Sequence, residues 1–131
     1  MTKIAVFGST GSIGEKTLNI VNYYNTKHPN SFQITCLSCN TNVEKLYNQC
    51  LIAKTKCVLI PQSFVEKWKD KFNLLNISVL TIEQDIKTIS QIQFDTAIVG
   101  ISGFSCLYYL QYIINNNSLK KLCLANKESI V

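Results

Sequence analysis

Three glycines spaced three residues apart are the first feature of this sequence that could do chemistry. Gly8, Gly11 and Gly14 lie in the segment GSTGSIG, between an apolar run and a pattern of helical period. Glycines at such a junction allow a tight turn, and they let phosphate groups approach the N–H groups that open a helix. The spacing differs from the Gly-x-Gly-x-x-Gly dinucleotide fingerprint, so a purely structural turn stays open at this point.

Apolar runs and helical patterns alternate along the rest of the chain. The runs predict strands at 3–7, 32–38, 57–60, 77–80, 95–100 and 120–125, and the intervening patterns predict helices at 12–25, 41–53, 63–72, within 82–90 and at 104–114. The strands are continuously apolar, which is typical of strands buried on both faces. The sequence therefore predicts a doubly wound α/β fold, a mostly parallel sheet with helices on both faces.

Polar residues around the glycines support a phosphate-binding interpretation. In a doubly wound sheet, the first strand-to-helix turn is where the pyrophosphate of a dinucleotide lies. The hydroxyl groups of Ser9, Thr10 and Ser12 lie between the glycines and could donate to phosphate oxygens. The position of the turn and these hydroxyls together favour a phosphate cradle.

The end of the second predicted strand bears on which nicotinamide cofactor would bind. An acid there accepts from the ribose 2′-hydroxyl of NAD and repels the 2′-phosphate of NADP. The strand is followed by SCNTNVEK, with no acid before Glu44, so the sequence favours NADP over NAD. Thr41 and Glu44 also form a capping box, and the sequence predicts that Thr41 or Asn42 opens the helix. A polar helix cap without a ligand remains an alternative.

Composition excludes several other classes of protein. The chain has 131 residues, which is the length of one domain, and 47% of them are hydrophobic. No apolar stretch approaches the roughly 20 residues needed to span a bilayer, so no membrane association is expected. Its net charge is +5, but the basic residues are spread along the chain and alternate with acids in EKWKDK, so no nucleic-acid partner is expected.

The six cysteines are interpreted as reduced packing residues. Cys36 and Cys39 form the only Cys-x-x-Cys, and on a strand they would face opposite sides of the sheet. There is no second pair and no nearby histidine to complete a zinc site. The single histidine, His28, lies in a loop by composition, which argues against a catalytic triad.

The sequence resembles the family of 1-deoxy-D-xylulose 5-phosphate reductoisomerases along essentially its whole length. Three segments carry the resemblance: GSTGSIG at 8–14, AIVGISGF at 97–104 and, most specifically, LANKES at 124–129. The resemblance implies that residues 1–131 form an NADPH-binding Rossmann-like domain. It also implies the family's reaction, in which a divalent metal (Mg²⁺ or Mn²⁺) assists rearrangement of the sugar phosphate. NADPH then reduces the resulting aldehyde to 2-C-methyl-D-erythritol 4-phosphate, the committed step of a route to isoprenoids.

The resemblance also implies roles for particular residues. The pyrophosphate would contact Thr10, Gly11, Ser12 and Ile13. The adenosine ribose and its 2′-phosphate would contact Asn40, Thr41 and Asn42. The nicotinamide side of the cofactor would contact Asn126 and Glu128. Lys127 would contact the substrate, as a positive charge at the end of a parallel strand.

Two departures from the family pattern shape these expectations. The family often has a lysine-bearing string at 40–42, where this chain has Asn-Thr-Asn, and Lys45 could compensate. The family's acidic metal ligands and its C-terminal domain lie beyond the last residue of this chain. The chain ends on apolar Ile130 and Val131, so we expect a piece of a longer protein that binds cofactor but is inactive alone.

The family also implies a homodimer as the full-length protein and a cytoplasmic or plastid location. Richness in Asn, Lys, Ile and Tyr is typical of an AT-rich genome, either of a low-GC bacterium or of an apicomplexan. In a bacterium the protein would be cytoplasmic, and in an apicomplexan it would lie in the apicoplast.

Three other interpretations of the cofactor-binding pattern can be weighed, and the sequence argues against two of them. An acyl-phosphate reductase would need a nucleophilic cysteine, but Cys106 and Cys123 fall on a predicted helix and strand as packing residues. A short-chain dehydrogenase would need Tyr-x-x-x-Lys on a later helix, whereas Tyr23 and Lys27 lie on the first. A nicotinamide-sensing module stays open, and it would lack an Asp-x-Glu cluster soon after residue 131.

Overall fold

The chain folds into alternating strands and helices around one sheet. The structure is a computed structural model that describes residues 1–101 and 103–125. The strands are β1 (Thr2–Phe7), β2 (Phe32–Ser38), β3 (Cys57–Ile60), β4 (Ser78–Thr81), β5 (Thr96–Val99) and β6 (Lys121–Leu124). The helices are α1 (Ser12–Lys27), α2 (Val43–Ala53), α3 (Val65–Asn73), α4 (Ile82–Asp85) and α5 (Phe104–Ile114), with 3₁₀ segments at Gln62–Phe64 and Ile86–Gln91. The predicted alternation is confirmed, with element ends displaced by at most two residues.

The six strands form one sheet in the order β4-β3-β2-β1-β5-β6. All five neighbouring pairs are parallel. From β1 the chain winds outward through β2, β3 and β4, and it then returns to place β5 on the other side of β1. The predicted doubly wound fold is confirmed, and the winding direction reverses between β1 and β5.

The core has two layers because successive side chains of a strand point to opposite faces. In β1, Ile4 and Val6 pack with residues of α1, α2 and α3, among them the fully buried Phe72. Ala5 and Phe7 pack on the other face with residues of α5 and the 3₁₀ segment at Ile86–Gln91. Burying a side chain such as Phe72 contributes about 1.5–3 kcal/mol to the free energy of unfolding. Packing on both faces holds β1, and with it the residues at its carboxyl end, in place.

The start of α2 differs from the predicted capping box. The helix begins at Val43, and Asn42 is its N-cap, with Oδ1 accepting the backbone N–H of Lys45 at 3.1 Å. The carbonyl of Thr41 instead accepts the N–H of Val43 at 3.1 Å. Asparagine caps at least as well as threonine. Of the two residues expected to open the helix, Asn42 is confirmed, and the Thr41 capping box is wrong.

The cysteines follow the predicted pattern with one exception. Cys36 and Cys39 are buried on opposite faces of the sheet, as predicted. Cys57 is half-buried. Cys123 is exposed on β6, an edge strand, so its interpretation as a packing residue is wrong.

Among the described helices, none is both long and apolar enough to cross a membrane.

Candidate functional site

A cleft of about 340 Å³ opens at the carboxyl ends of β1 and β5. This is the point where the winding direction of the sheet reverses, and ligands of doubly wound folds bind there. Three groups of residues line it. The first rim is Gly8, Thr10, Gly11, Ser38, Cys39, Asn40 and Thr41; the second rim is Gly100, Ile101, Ser105, Tyr108 and Tyr109; Ile82 of α4 completes the wall.

Two of the three predicted glycines are required by the packing of the protein itself. Gly8 has a φ of +84°, and a Cβ there would lie 2.8 Å from the carbonyl oxygen of Gly100. A Cβ on Gly14 would lie 2.3 Å from the carbonyl oxygen of Gly8 and 2.5 Å from the Cα of Ser9. Contacts this short involve backbone atoms that cannot move aside, so the structural explanation of the turn accounts for both residues.

Gly11 and Gly100 are different, because the fold has room for a side chain at each. A Cβ on Gly11 would meet nothing closer than the Gly8 oxygen at 3.6 Å, and its φ of −75° is ordinary. A Cβ on Gly100 would have its nearest neighbours at 3.7 Å. Both residues line the cleft, so their missing side chains leave backbone exposed to whatever fills it.

A hydrogen-bond network behind the first rim holds the glycine turn to β2 and α2. The hydroxyl of Ser9 donates to Oε1 of Gln49 at 2.9 Å, and Nε2 of Gln49 donates to the Ser9 carbonyl at 2.8 Å. The backbone N–H of Gly8 donates to the Ser38 hydroxyl at 2.8 Å, and that of Ser9 donates to the Ser38 carbonyl at 2.9 Å. Ser9 is fully buried, so the prediction that its hydroxyl would contact phosphate is wrong.

The residues predicted for the pyrophosphate lie around the start of α1. Thr10 and Gly11 line the cleft, and Gly11 is the N-cap residue of the helix. Ser12 and Ile13 follow in the exposed first turn. Among the described residues, no side chain caps this turn. The positive end of the α1 dipole therefore lies at the edge of the cleft, which suits an anion.

The residues predicted for the ribose lie at the start of α2. Asn40 and Thr41 line the same cleft, so the fold brings them together with Thr10 and Gly11. Asn42 is exposed, and its side-chain oxygen is engaged as the helix cap. Lys45, in the first turn of α2, forms an ion pair with Glu15 of α1 at 2.6 Å. This pair links the two halves of the first rim.

The second rim supplies residues that sequence reasoning missed. Tyr109 of α5 is buried, and its ring centroid lies 5.6 Å from that of Phe7. Burial raises the pKa of the Tyr109 phenol and raises the pKa of the Cys39 thiol to about 12. Both groups are therefore neutral near pH 7 and add no negative charge to the cleft. The apolar pattern of α5 gave no signal that one of its rings would reach the site.

Three predicted residues, Asn126, Lys127 and Glu128, lie outside the described residues. They follow β6, which runs parallel to β5 and pairs Leu124 with Val99. The N–H of Ala125 donates to the Val99 carbonyl at 3.0 Å, so the described chain stays beside β5 to its last residue.

A match to a known family accompanies this geometry. Residues 4–131 match the family model described as 1-deoxy-D-xylulose 5-phosphate reductoisomerase. The chain belongs to this family. The resemblance inferred from GSTGSIG, AIVGISGF and LANKES is thereby confirmed.

Reductoisomerases of bacterial and apicoplast origin are similar to this chain. The enzyme of Colwellia psychrerythraea is 36% identical over 98% of the chain, which spans 31% of that relative. The apicoplastic enzyme of Plasmodium falciparum is 35% identical over 98% of the chain, which spans 27% of it. The chain therefore spans about a third of the length of the curated relatives it matches.

Solved reductoisomerase structures share the fold. The enzyme of Zymomonas mobilis in complex with NADPH superposes with a TM-score of 0.85 at 24% identity, covering 98% of this chain and 33% of that one. A reductoisomerase in complex with NADPH, fosmidomycin and magnesium gives a TM-score of 0.84 at 26% identity, covering 99% and 31%. The fold of this chain is that of the corresponding third of those enzymes.

A metal site is not formed by the part of the chain described here. No group of three or more His, Cys, Asp or Glu side chains that could hold an ion occurs among these residues. The prediction that the ligands of Mg²⁺ or Mn²⁺ lie beyond this chain remains a prediction.

Proposed function

We propose that residues 1–131 form the NADPH-binding domain of a 1-deoxy-D-xylulose 5-phosphate reductoisomerase. Family membership and the cleft at the sheet's reversal point support this proposal. When bound, NADPH supplies the hydride of the reaction. The described residues bind and orient the cofactor and keep its phosphates against the start of α1.

The observation that carries the proposal is the contrast among the glycines. Gly8 and Gly14 are explained by clashes within the protein, but Gly11 and Gly100 are not. A glycine that neither sterics nor a positive φ requires is expected where a ligand must approach the backbone closely. Gly11 and Gly100 both line the cleft, so a ligand that approaches the backbone there accounts for both.

In this proposal the first rim binds the phosphate-bearing half of the cofactor. The pyrophosphate lies against Thr10, Gly11, Ser12 and Ile13, where backbone N–H groups and the helix dipole favour negative charge. Asn40, Thr41 and Asn42 bind the adenosine ribose and its 2′-phosphate. The segment 40–42 contains no acid, so nothing in it repels that phosphate.

The nicotinamide side and the substrate are assigned to the residues after β6. Asn126 and Glu128 bind near the nicotinamide, and Lys127 donates to an oxygen of the sugar phosphate. Their support is the LANKES motif and the position of β6 beside β5. A lysine at this edge acts as a positive point charge for an anionic substrate.

The full-length protein is proposed to convert 1-deoxy-D-xylulose 5-phosphate to 2-C-methyl-D-erythritol 4-phosphate as a homodimer with Mg²⁺ or Mn²⁺. It would act in the cytoplasm of a bacterium or in the apicoplast of an apicomplexan. Similarity to enzymes of both kinds of organism supports these alternatives. This chain alone is expected to bind cofactor without turnover, since the metal ligands are proposed to lie further along. Metal-dependent oxidation of NADPH by the chain with the sugar phosphate would contradict this.

The proposal is tested by titrating the chain with NADPH and with NADH. Trp68 is nearly buried on α3 against Tyr47 of α2, and energy transfer from it to the reduced nicotinamide reports binding. We expect saturable binding that favours NADPH. The matched variant is Gly11→Ala, which should melt like the wild type but bind NADPH at least about tenfold more weakly, a loss of about 1.4 kcal/mol. Unchanged binding by Gly11→Ala, or no binding by the wild type, would overturn the proposal.

A further inference from the structure

The ion pair between Lys45 and Glu15 lies between the two parts of the first rim. Lys45 Nζ and Glu15 Oε2 are 2.6 Å apart. The backbone N–H of Lys45 donates to the Asn42 side chain, and that of Glu15 donates to the Gly11 carbonyl at 2.8 Å. Each partner is therefore one helical turn from a residue of the candidate site. The pair joins the segment 40–42 to the glycine turn.

The direction of helical side chains brings the Lys45 ammonium toward the cleft side of α2. Cα–Cβ bonds tilt toward the N-terminus of a helix, so a long side chain in the first turn reaches back over the helix start. The contact with Glu15 sets its direction further, toward α1. Thr41 and Gly11, which both line the cleft, each lie about one helical turn before one partner of this pair.

The pair is weak enough to be exchanged. The side chains of Lys45 and Glu15 are 33% and 48% exposed, and ion pairs so open to water contribute only about 0–1 kcal/mol. A phosphate group carries a charge between −1.5 and −2 and several acceptor oxygens, so it binds an ammonium more strongly than one carboxylate does. Breaking the ion pair with Glu15 therefore costs less free energy than a new ion pair with a phosphate group contributes.

The segment 40–42 itself carries no cation. It consists of Asn40, Thr41 and Asn42, which offer hydrogen bonds but no positive charge to a phosphate. The amide of Asn42 is already partly used, because its oxygen caps α2. Positive charge for a group bound at this segment has to come from a neighbouring residue, and Lys45 is linked to the segment by a hydrogen bond.

We propose that Lys45 is the residue by which this chain selects a 2′-phosphorylated nucleotide, with Glu15 as its partner when that phosphate is absent. On binding, Lys45 Nζ leaves Glu15 and pairs with the 2′-phosphate, while the backbone cap between Lys45 and Asn42 stays in place. Glu15 opposes the cofactor because it competes for the ammonium and adds negative charge. This inference rests on the proposed function and specifies its choice of cofactor.

The test is a set of paired titrations with NADPH and NADH at low ionic strength. Lys45→Gln should weaken NADPH binding about 5–20-fold and NADH binding less than about twofold, since only NADPH carries the 2′-phosphate. Glu15→Gln should tighten NADPH binding about 2–5-fold, and the effect should fade as salt is added. The matched control is Lys56→Gln, which changes an exposed lysine just before β3. This lysine lies at the amino end of the strand, whereas the cleft lies at the carboxyl ends. The control variant should leave both affinities unchanged.

The possible results separate this inference from the proposed function. Wild-type binding of neither nucleotide overturns both. Binding of both nucleotides with an unchanged NADPH-to-NADH ratio in Lys45→Gln overturns the inference alone. Weaker NADPH binding by Glu15→Gln would mean that Glu15 holds Lys45 in its binding position, which contradicts the proposed exchange.

Discussion

The two rims of the cleft are held in shape by different forces. The first rim is fixed by hydrogen bonds that tie the glycine turn to β2 and α2 through Ser38 and Gln49. The second rim follows β5. Its buried residue Tyr109 packs against Phe7 in the apolar core. One rim is therefore a rigid polar frame, and the other is an extension of the apolar core.

This difference matches two tasks in binding a dinucleotide. Phosphates need N–H groups at fixed positions, and a hydrogen-bonded frame provides them without rearrangement. A planar ring needs a neutral apolar surface, such as Ile101 and Tyr109 offer. The rims meet where the N–H of Gly100 donates to the Phe7 carbonyl at 2.8 Å, so a ligand spanning the cleft contacts both.

The largest expected effect breaks the frame of the first rim. Gly14→Ala places a Cβ 2.3 Å from the Gly8 oxygen, and the turn has to open to admit it. We expect a loss of about 3 kcal/mol or more in the free energy of unfolding, measured by urea denaturation.

The matched change on the second rim is Gly100→Ala. Its new Cβ has no neighbour closer than 3.7 Å, so stability should stay within about 0.5 kcal/mol of the wild type. Equal losses in the two variants would contradict the distinction between Gly14, which packing requires to be glycine, and Gly100, which it does not.

A smaller effect is expected from the network behind the turn. Ser9→Ala removes the hydroxyl that donates to Gln49 and leaves its half-buried amide oxygen without that donor, which costs about 1 kcal/mol. Gln49→Ala should cost a similar amount, and the double variant should cost less than the sum. Urea denaturation of all three, with the exposed Ser12→Ala as control, measures this coupling. Strict additivity would show that the two residues do not act as one unit.

The smallest effect concerns how the helices at the two rims begin. Asn42 caps α2 with its side chain, so Asn42→Ala should cost about 1 kcal/mol. The control is Ser105→Ala on α5, an exposed position at a helix that begins after Gly103 without a side-chain cap there. Its stability should stay within about 0.5 kcal/mol. Thermal melting of the two variants side by side measures the difference. An Asn42→Ala variant that melts at the wild-type temperature would contradict a stabilising cap at Asn42.

Much of the fold could be predicted because its signals are local. The alternation of apolar runs with helical patterns follows from side chains that are neighbours in sequence, and it determined the elements and the parallel sheet. The position of GSTGSIG after the first strand likewise identified the glycine turn. The start of α2 was predicted less well, because Asn42 and not Thr41 caps the helix, which begins at Val43.

Only the tertiary structure decided what each residue of the turn does. Gly14 and Gly11 look equivalent in the sequence, but a Cβ on Gly14 would strike the Gly8 oxygen, whereas one on Gly11 would meet nothing closer than 3.6 Å. Ser9 points inward, where Gln49 of α2, forty positions later in the chain, accepts its hydroxyl. The second rim depends on β5 lying beside β1 rather than beside β4. Such pairings join distant parts of the chain, and local sequence patterns carry no record of them because the contacts form only when the sheet assembles.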